Sequence, residues 1–187
     1  PEGTYSLVET AGGWLETVTI DDTLFLRGFA LTGNRGLWRS DGTEAGTFEL
    51  LDADPDNLTN MAGTLFFTVD NDLWKSDGTV AGTELVFEMG DGTNLGSLTA
   101  VSDTLFFVAG NDQLWKSNGA TTTLVKEITL DWGQLDNLTA WNDHLYFSAR
   151  ADDGFGSELW QSDGTADGTM RLTDINPSFG NAYPNHL

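Results

Sequence analysis

The sequence has 187 residues, enough for one domain of ordinary size, and 39% of them are hydrophobic, so a packed core is expected. Its 29 acidic residues against 8 basic ones give a formal net charge of -21, which excludes binding to nucleic acid or to an anionic membrane surface. Cysteine is absent, which excludes disulfides, and no apolar run approaches transmembrane length, so direct membrane insertion is not expected.

The first segment, residues 1–10, is interpreted as one extra strand from a partial repeat. Its run Tyr5-Ser6-Leu7-Val8 has the composition of the last strand in each of the later modules. At the other end, residues 174–187 leave a last strand and lead to no further module. We therefore expect the chain to be a piece of a longer protein, with both ends lying inside the repeat pattern.

Four modules of about 40 residues make up the rest of the chain, approximately at 14–52, 53–90, 91–130 and 131–176. Each holds four short runs rich in Leu, Val, Phe, Trp and Thr. The second runs begin at residues 22, 63, 103 and 143, so their spacings are 41, 40 and 40. The first runs lie at 18–20, 58–61, 98–101 and 138–141, and the fourth runs at 48–51, 84–87, 123–126 and 170–173.

Runs of this composition, separated by Gly, Asp and Asn, are typical of β-strands, and no long stretch has helical periodicity. Two-residue links such as Ala62-Gly63 and Asn142-Asp143 predict tight hairpins between the first and second strands. The sequence therefore predicts an all-β, β-propeller-like array of four-stranded antiparallel blades, with about four modules and one extra N-terminal strand. Closure into a ring, an arc of a larger ring and an open array all remain possible.

The third run of each module carries the longest shared motif. Its tryptophans are interpreted as packing residues between neighbouring blades, although stacking on a ligand is an alternative: Trp38, Trp74, Trp115 and Trp160. Its turn residues are interpreted as caps rather than metal ligands, because Asn in one copy caps a turn but brings no charge to a cation: Asp41, Asp77, Asn118 and Asp163. Trp141 occupies the place of Ile20, Met61 and Val101 and is predicted to lie in the core.

This motif resembles the ELWxxDGT repeat of bacterial extracellular proteins. Glu158-Leu159-Trp160-Gln161-Ser162-Asp163-Gly164-Thr165 matches in full, and the other copies replace the glutamate by Gly36, Asp72 and Gln113. The third copy departs further, with Asn118 and Ala120, and it lacks the second Gly-Thr. The resemblance implies a large secreted or surface-attached bacterial protein and no enzymatic activity.

Three acidic loops are candidates for calcium, the only cofactor considered. Asp52, Asp54 and Asp56 are spaced like the start of an oxygen-rich calcium loop, but Asn57 and Gly63 do not complete the EF-hand pattern. The second candidate is residues 70–72, and the third combines Asp152, Asp153 and Glu158. Solvated acidic loops are the alternative interpretation of all three.

Two tryptophans outside the repeated positions, Trp14 and Trp132, are candidate ligand-binding platforms, with local loop packing as the alternative. Catalytic motifs are not found, and the only histidines are His144 and His186. The favoured function is a non-enzymatic extracellular module with a structural or protein-interaction role. The alternative is a carbohydrate-binding module, with or without assistance from calcium. Expected partners are other proteins, cell-surface glycans, further repeats of the same polypeptide or a larger assembly.

Overall fold

A computed structural model describes residues 16–29, 33, 35–90, 93–128, 135–150 and 156–172. Every regular element in these ranges is a β-strand, which confirms the all-β prediction. The predicted extra strand within residues 1–10 and the run 174–187 lie outside the described residues.

The strands form four antiparallel sheets, each built from four strands in chain order. We call these sheets blades 1 to 4. Blade 1 contains β1 (Thr17–Ile20), β2 (Thr23–Phe29), β3 (Arg35–Ser40) and β4 (Phe48–Leu51). Blade 2 contains β5 (Asp56–Met61), β6 (Thr64–Val69), β7 (Asp72–Ser76) and β8 (Glu84–Phe87). Blade 3 contains β9 (Leu95–Val101), β10 (Thr104–Ala109), β11 (Gln113–Ser117) and β12 (Thr122–Glu127). Blade 4 contains β13 (Asp136–Trp141), β14 (His144–Ala149), β15 (Glu158–Ser162) and β16 (Met170–Arg171).

The first hairpin of each blade turns in two residues, as predicted. In blade 2, Met61 pairs with Thr64, and the turn residues Ala62 and Gly63 have φ values of 50° and 86°. In blade 4, Asn142 and Asp143 have φ values of 46° and 60°. Two successive residues in the left-handed region make a turn whose twist matches that of the strands, so the register of the first two strands is fixed locally.

The apolar cores lie between blades, so blades 2 and 3 each have two buried faces. The forward face of a blade packs on the next blade along the chain, and the rear face packs on the previous blade. In blades 1 to 3, the forward face carries the first phenylalanine of the second strand, and the rear face carries the residue after it. Accordingly, Phe25 and Phe67 share the cluster between blades 1 and 2, Phe66 and Phe107 the next, and Phe106 and Phe147 the last.

The motif tryptophans of blades 2 to 4 belong to the rear faces. Trp74 stacks on Phe67 with ring centroids 6.4 Å apart, and Trp160 stacks on Phe147 at 6.1 Å. Trp115 lies 5.5 Å from Phe87 of the preceding blade. These aromatic contacts add stacking to the burial of apolar surface, and they place each of the three indoles in the seam between two blades.

Candidate functional site

The turn after each motif tryptophan is held by the aspartate of the motif. Asp77 Oδ1 accepts hydrogen bonds from the backbone N of Thr79 at 2.9 Å and from its hydroxyl at 2.7 Å. The same pair of bonds is made by Asp41 and Asp163. These bonds from the threonine favour the ionised carboxylate and hold the pKa of each of the three aspartates below its usual value.

Blade 3 makes the equivalent turn without a charge. Asn118 Oδ1 accepts hydrogen bonds from the backbone N of Ala120 at 3.0 Å and of Thr121 at 2.8 Å. An amide oxygen therefore replaces the carboxylate oxygen in the same role. The motif position thus uses its side-chain oxygen inside its own turn.

The second Gly-Thr of the motif completes this turn. A Cβ on Gly82 would lie 2.1 Å from Asp77 Oδ1, so only glycine allows the close approach. The next residue, Thr83, has its hydroxyl 2.8 Å from the hydroxyl of Ser76 at the end of β7. The polar side chains of this turn are therefore engaged with one another.

A repeated hydrogen bond joins successive blades. Arg39 Nη1 donates to the carbonyl of Gly78 at 3.1 Å, and Lys75 Nζ donates to that of Gly119 at 3.0 Å. Lys116 Nζ donates to the carbonyl of Gly164 at 2.7 Å. In each case a cation on the third strand reaches the turn glycine of the next blade. This inter-blade contact was not predicted, although a basic residue after the tryptophan in three modules was a signal for it.

The candidate functional site is an open cleft of about 500 Å³ at the junction of blades 2 and 3. Two differences between the repeats lie at this cleft. In blade 1, Phe48 packs beside Arg39, with the guanidinium carbon 5.4 Å from the ring centroid, whereas Glu84 is the partner of Lys75 in blade 2. The turn of blade 3 is also shorter. Its bonded hydroxyls belong to Ser117 and Thr122, 5 positions apart, whereas those of blade 2 belong to Ser76 and Thr83, 7 positions apart.

Acidic groups dominate this cleft. Its lining includes Asp77, Glu84 and Asp103 against the single cation Lys75, which gives 1 - 3 = -2 elementary charges. Lys75 Nζ lies 3.1 Å from Glu84 Oε1 and is also bonded to the carbonyl of Gly119, so its charge is already engaged. The buried side chain of Phe66 lies at the bottom. Such a cleft suits a small group that is positively charged or rich in hydrogen-bond donors.

The first predicted calcium loop is engaged in ion pairs. Arg27 Nε donates to Asp54 Oδ1 at 2.6 Å, and another guanidinium nitrogen pairs with Asp56. Burial raises the pKa of Asp54, but the bond to Arg27 and the charges of Arg27 and Arg35 outweigh this, so the pKa is lowered. Asp52 is not among these contacts. The pKa of Glu49 is raised, mainly by the burial of Glu49 and secondly by the negative charge of Asp52.

The other predicted site residues form no metal site within the described part of the chain. In the described ranges, no group of three or more His, Cys, Asp or Glu side chains is placed to hold a metal ion. Glu158 is fully buried on β15, whereas its two predicted companions, Asp152 and Asp153, lie outside the described residues, as do Trp14 and Trp132. In the second candidate loop, Asp70 and Asn71 form a turn with φ values of 51° and 70°.

The prediction that Trp141 lies in the core is wrong. Its side chain is 62% exposed and contacts Tyr146, with ring centroids 5.6 Å apart. Trp141 does occupy the forward-face position of Ile20, Met61 and Val101, but blade 4 is the last blade that the structure describes. Its position in the repeat was inferred correctly, and its burial was not, because burial requires a following blade.

The four blades define a β-propeller-like repeat protein. A computationally designed protein, Ika8, is similar, with a TM-score of 0.56 at 14% identity over 87% of this chain and 49% of that chain. Prolyl oligopeptidase B from Galerina marginata has a TM-score of 0.58 at 14% identity, over 86% of this chain and 26% of its own. A puromycin-hydrolysing peptidase of Mycobacterium tuberculosis has a TM-score of 0.54 at 13% identity, over 86% and 31%.

These similarities confirm the propeller-like fold, and the chain spans at most about half the length of these solved chains. No protein-family model matches the chain, and no curated protein matches it. Among the described residues, no helix is both long enough and apolar enough to cross a membrane.

Proposed function

We propose that the chain is a non-enzymatic, extracellular protein-interaction module whose contact surface is the acidic cleft between blades 2 and 3. The observation that carries the proposal is that this cleft lies where two repeats differ, at Glu84 and at the shortened turn from Ser117 to Thr122. Features common to the blades serve turns and packing, so a specific surface must come from the differences. The resemblance to the ELWxxDGT repeat supports an extracellular bacterial location.

The chemistry of the cleft favours a basic segment of another protein. Glu84, Asp77 and Asp103 provide carboxylates on its rim, and all three are exposed to solvent. A lysine or arginine side chain entering the cleft would exchange water for two or more carboxylate oxygens. The overall charge of -21 would also steer a basic partner toward the protein and would make association salt-dependent.

The test is calorimetric titration with a lysine-rich peptide, with a glutamate-rich peptide of equal length as the negative control. The double variant Glu84→Gln/Asp103→Asn is expected to weaken binding at least about tenfold, because it removes two carboxylates from one contact. The matched control, Asp22→Asn/Asp70→Asn, removes the same charge from exposed turns elsewhere. Equal weakening by both double variants would show general attraction only and would refute a role for the cleft.

A carbohydrate-binding module is the second candidate, and the exposed ring of Trp141 favours it. An indole that is 62% exposed and braced by Tyr146 offers an apolar face for stacking on a sugar ring. A glycan array with the wild type and with Trp141→Ala tests this, and an array without hits contradicts it. A calcium-assisted form predicts that EGTA lowers the melting temperature, because a ligand of the native state stabilises it by mass action.

The absence of catalysis is part of the proposal and has its own test. The sequence carries no recognised catalytic motif, and His144 Nδ1 lies 3.0 Å from the carbonyl of Asn142 in its own hairpin. Incubation with peptide and glycoside substrates is expected to give no turnover. Reproducible turnover that survives further purification would overturn this part of the proposal.

A further inference from the structure

In the part of the chain that the structure describes, no further blade packs on the apolar forward face of blade 4. Trp141, Met170 and Leu172 are 62%, 46% and 43% exposed. Two of these positions have buried counterparts in blade 3: Trp141 corresponds to Val101, and Leu172 to Val125, both in the cluster between blades 3 and 4. We propose that this face docks a second copy of the chain, head to tail, through the rear face of blade 1.

The established junctions show what such a docking requires. At each junction, a phenylalanine of the forward face covers the turn glycine of the next blade. A Cβ on Gly78 would lie 3.3 Å from Phe25 Cζ, and a Cβ on Gly164 would lie 3.2 Å from Phe106 Cζ. The cation of the third strand bonds to the carbonyl of the same glycine, as Lys116 does with Gly164.

Four blades leave one unmatched half of this junction at each end of the array. On the forward face of blade 4, Tyr146 stands in the place of Phe106, and Gln161 stands in the place of Lys116. On the rear face of blade 1, the turn glycine Gly42 is exposed, and a Cβ there would meet nothing within 4 Å. A glutamine amide still donates a hydrogen bond to a carbonyl, so Gln161 of one copy matches Gly42 of another.

A second copy is favoured because two copies complete a closed arrangement. None of the three apolar clusters in the described ranges joins blade 4 to blade 1. This chain covers only 49% of the designed propeller to which it is similar. Two head-to-tail chains would supply twice the blades and make two identical junctions, which pairs the described forward face of blade 4 with the described rear face of blade 1 in both places and closes a dimer.

The proposed junction is weaker than those inside the chain. Thr17 and Thr19 lie on β1 and are exposed on the rear face of blade 1. The position of Thr17 is taken in the other blades by Leu58, Leu98 and Leu138, which pack in or against the inter-blade clusters. Less apolar surface is therefore buried between copies, and the dimer is expected to dissociate on dilution.

Sedimentation equilibrium of the full 187-residue chain tests the association. The expected mass rises with concentration from 20.3 kDa to twice that value. Trp141→Glu should raise the dissociation constant at least about a hundredfold by placing an unpaired carboxylate in the junction. Val80→Glu is the matched control, because Val80 is 61% exposed in a turn and should leave association unchanged. A chain that is monomeric at every concentration, or a dimer indifferent to Trp141→Glu, overturns the proposal.

The arrangement is tested by disulfide trapping, which the absence of cysteine makes unambiguous. At the junction of blades 3 and 4, Ser102 Oγ donates to Asp143 Oδ1 at 2.6 Å. The equivalent positions across the proposed junction are Asn142 of one copy and Asp22 of the other. An equal mixture of Asn142→Cys and Asp22→Cys should form a disulfide-linked dimer, and neither variant should do so alone. Ser102→Cys/Asp143→Cys within one chain is the positive control.

Cross-linking of Asn142→Cys by itself would show two forward faces opposed to each other and would overturn the head-to-tail arrangement. Circular dichroism and the urea midpoint of Trp141→Glu must match those of the wild type at concentrations where the wild type is monomeric, as expected for an exposed position. The inference goes beyond the proposed function and does not depend on it. Peptide binding is therefore measured on the monomeric Trp141→Glu variant, so the failure of one proposal leaves the other open to its own test.

Discussion

The substitution Phe107→Ala tests whether the inter-blade seams hold the molecule together. Phe107 is fully buried between blades 2 and 3 and stacks on Trp115, with centroids 6.4 Å apart and an interplanar angle of 14°. Removing a buried phenylalanine ring typically costs about 3–5 kcal/mol, which includes lost burial and the cavity left behind. Domains are usually stable by about 5–15 kcal/mol, so the loss should be a large part of the total.

The repeat itself supplies a milder comparison. Leu26 occupies the equivalent position in blade 1, so Phe107→Leu introduces an apolar side chain that the repeat already uses at this place in the strand. We expect Phe107→Leu to cost about 1.5 kcal/mol or less. Leu124→Ala is the exposed control in the same blade, because Leu124 is 44% exposed, and it should cost less than about 1 kcal/mol.

Urea unfolding followed by tryptophan fluorescence and by circular dichroism measures these differences. Fluorescence reports the seams, where the motif indoles lie, and circular dichroism reports the strands. If Phe107→Ala destabilised the chain no more than Leu124→Ala does, the seam would not be a main source of stability. The assignment of the core to the inter-blade clusters would then be wrong.

Three further predictions concern polar contacts. Asp77→Asn should melt close to the wild type, because the amide oxygen still accepts the bonds of Thr79, whereas Asp77→Ala should lower the melting temperature. The pKa of Asp54 is lowered in the folded chain, so its stabilising effect is present above the ordinary value of 3.8 and is lost as the pH falls further. In Arg27→Met, the free energy of unfolding should therefore decrease less as the pH is lowered. Lys116→Met should cost about 1–3 kcal/mol in urea unfolding, because the half-buried carbonyl acceptor loses a charged donor, and Lys116→Arg should restore part of it.

The strand order and blade boundaries could be predicted from the sequence because they depend on short turns and on a regular spacing along the chain. Hairpins such as Met61–Thr64 need only two turn residues with suitable φ values, and the spacing near 40 residues reports one blade. The capping role of Asp77 was also predictable, since Asn118 stands in its place.

The cleft could not be predicted, because it depends on residues that meet only across a junction. Glu84 and Ala120 are 36 positions apart, counted as 120 - 84, and nothing in either module shows that the two residues line one cleft. The same limitation applies to Asp54 and Asp56: their spacing resembles a calcium loop, and the chain alone does not reveal that Arg27 lies beside them. The exposure of Trp141 likewise depends on whether another blade covers blade 4, and its own repeat does not reveal this.

The repeated contact between a third-strand cation and the turn glycine of the next blade has a consequence for how such a chain can evolve. Lys75 and Lys116 lie in equivalent places, and so do Gly119 and Gly164, so each junction has the same two halves in the same order. A recombination event that duplicates or deletes one whole module would therefore leave a matched junction behind. Blade number can change in a single genetic step, whereas a surface such as the cleft, made by two unlike neighbours, is lost when their order changes.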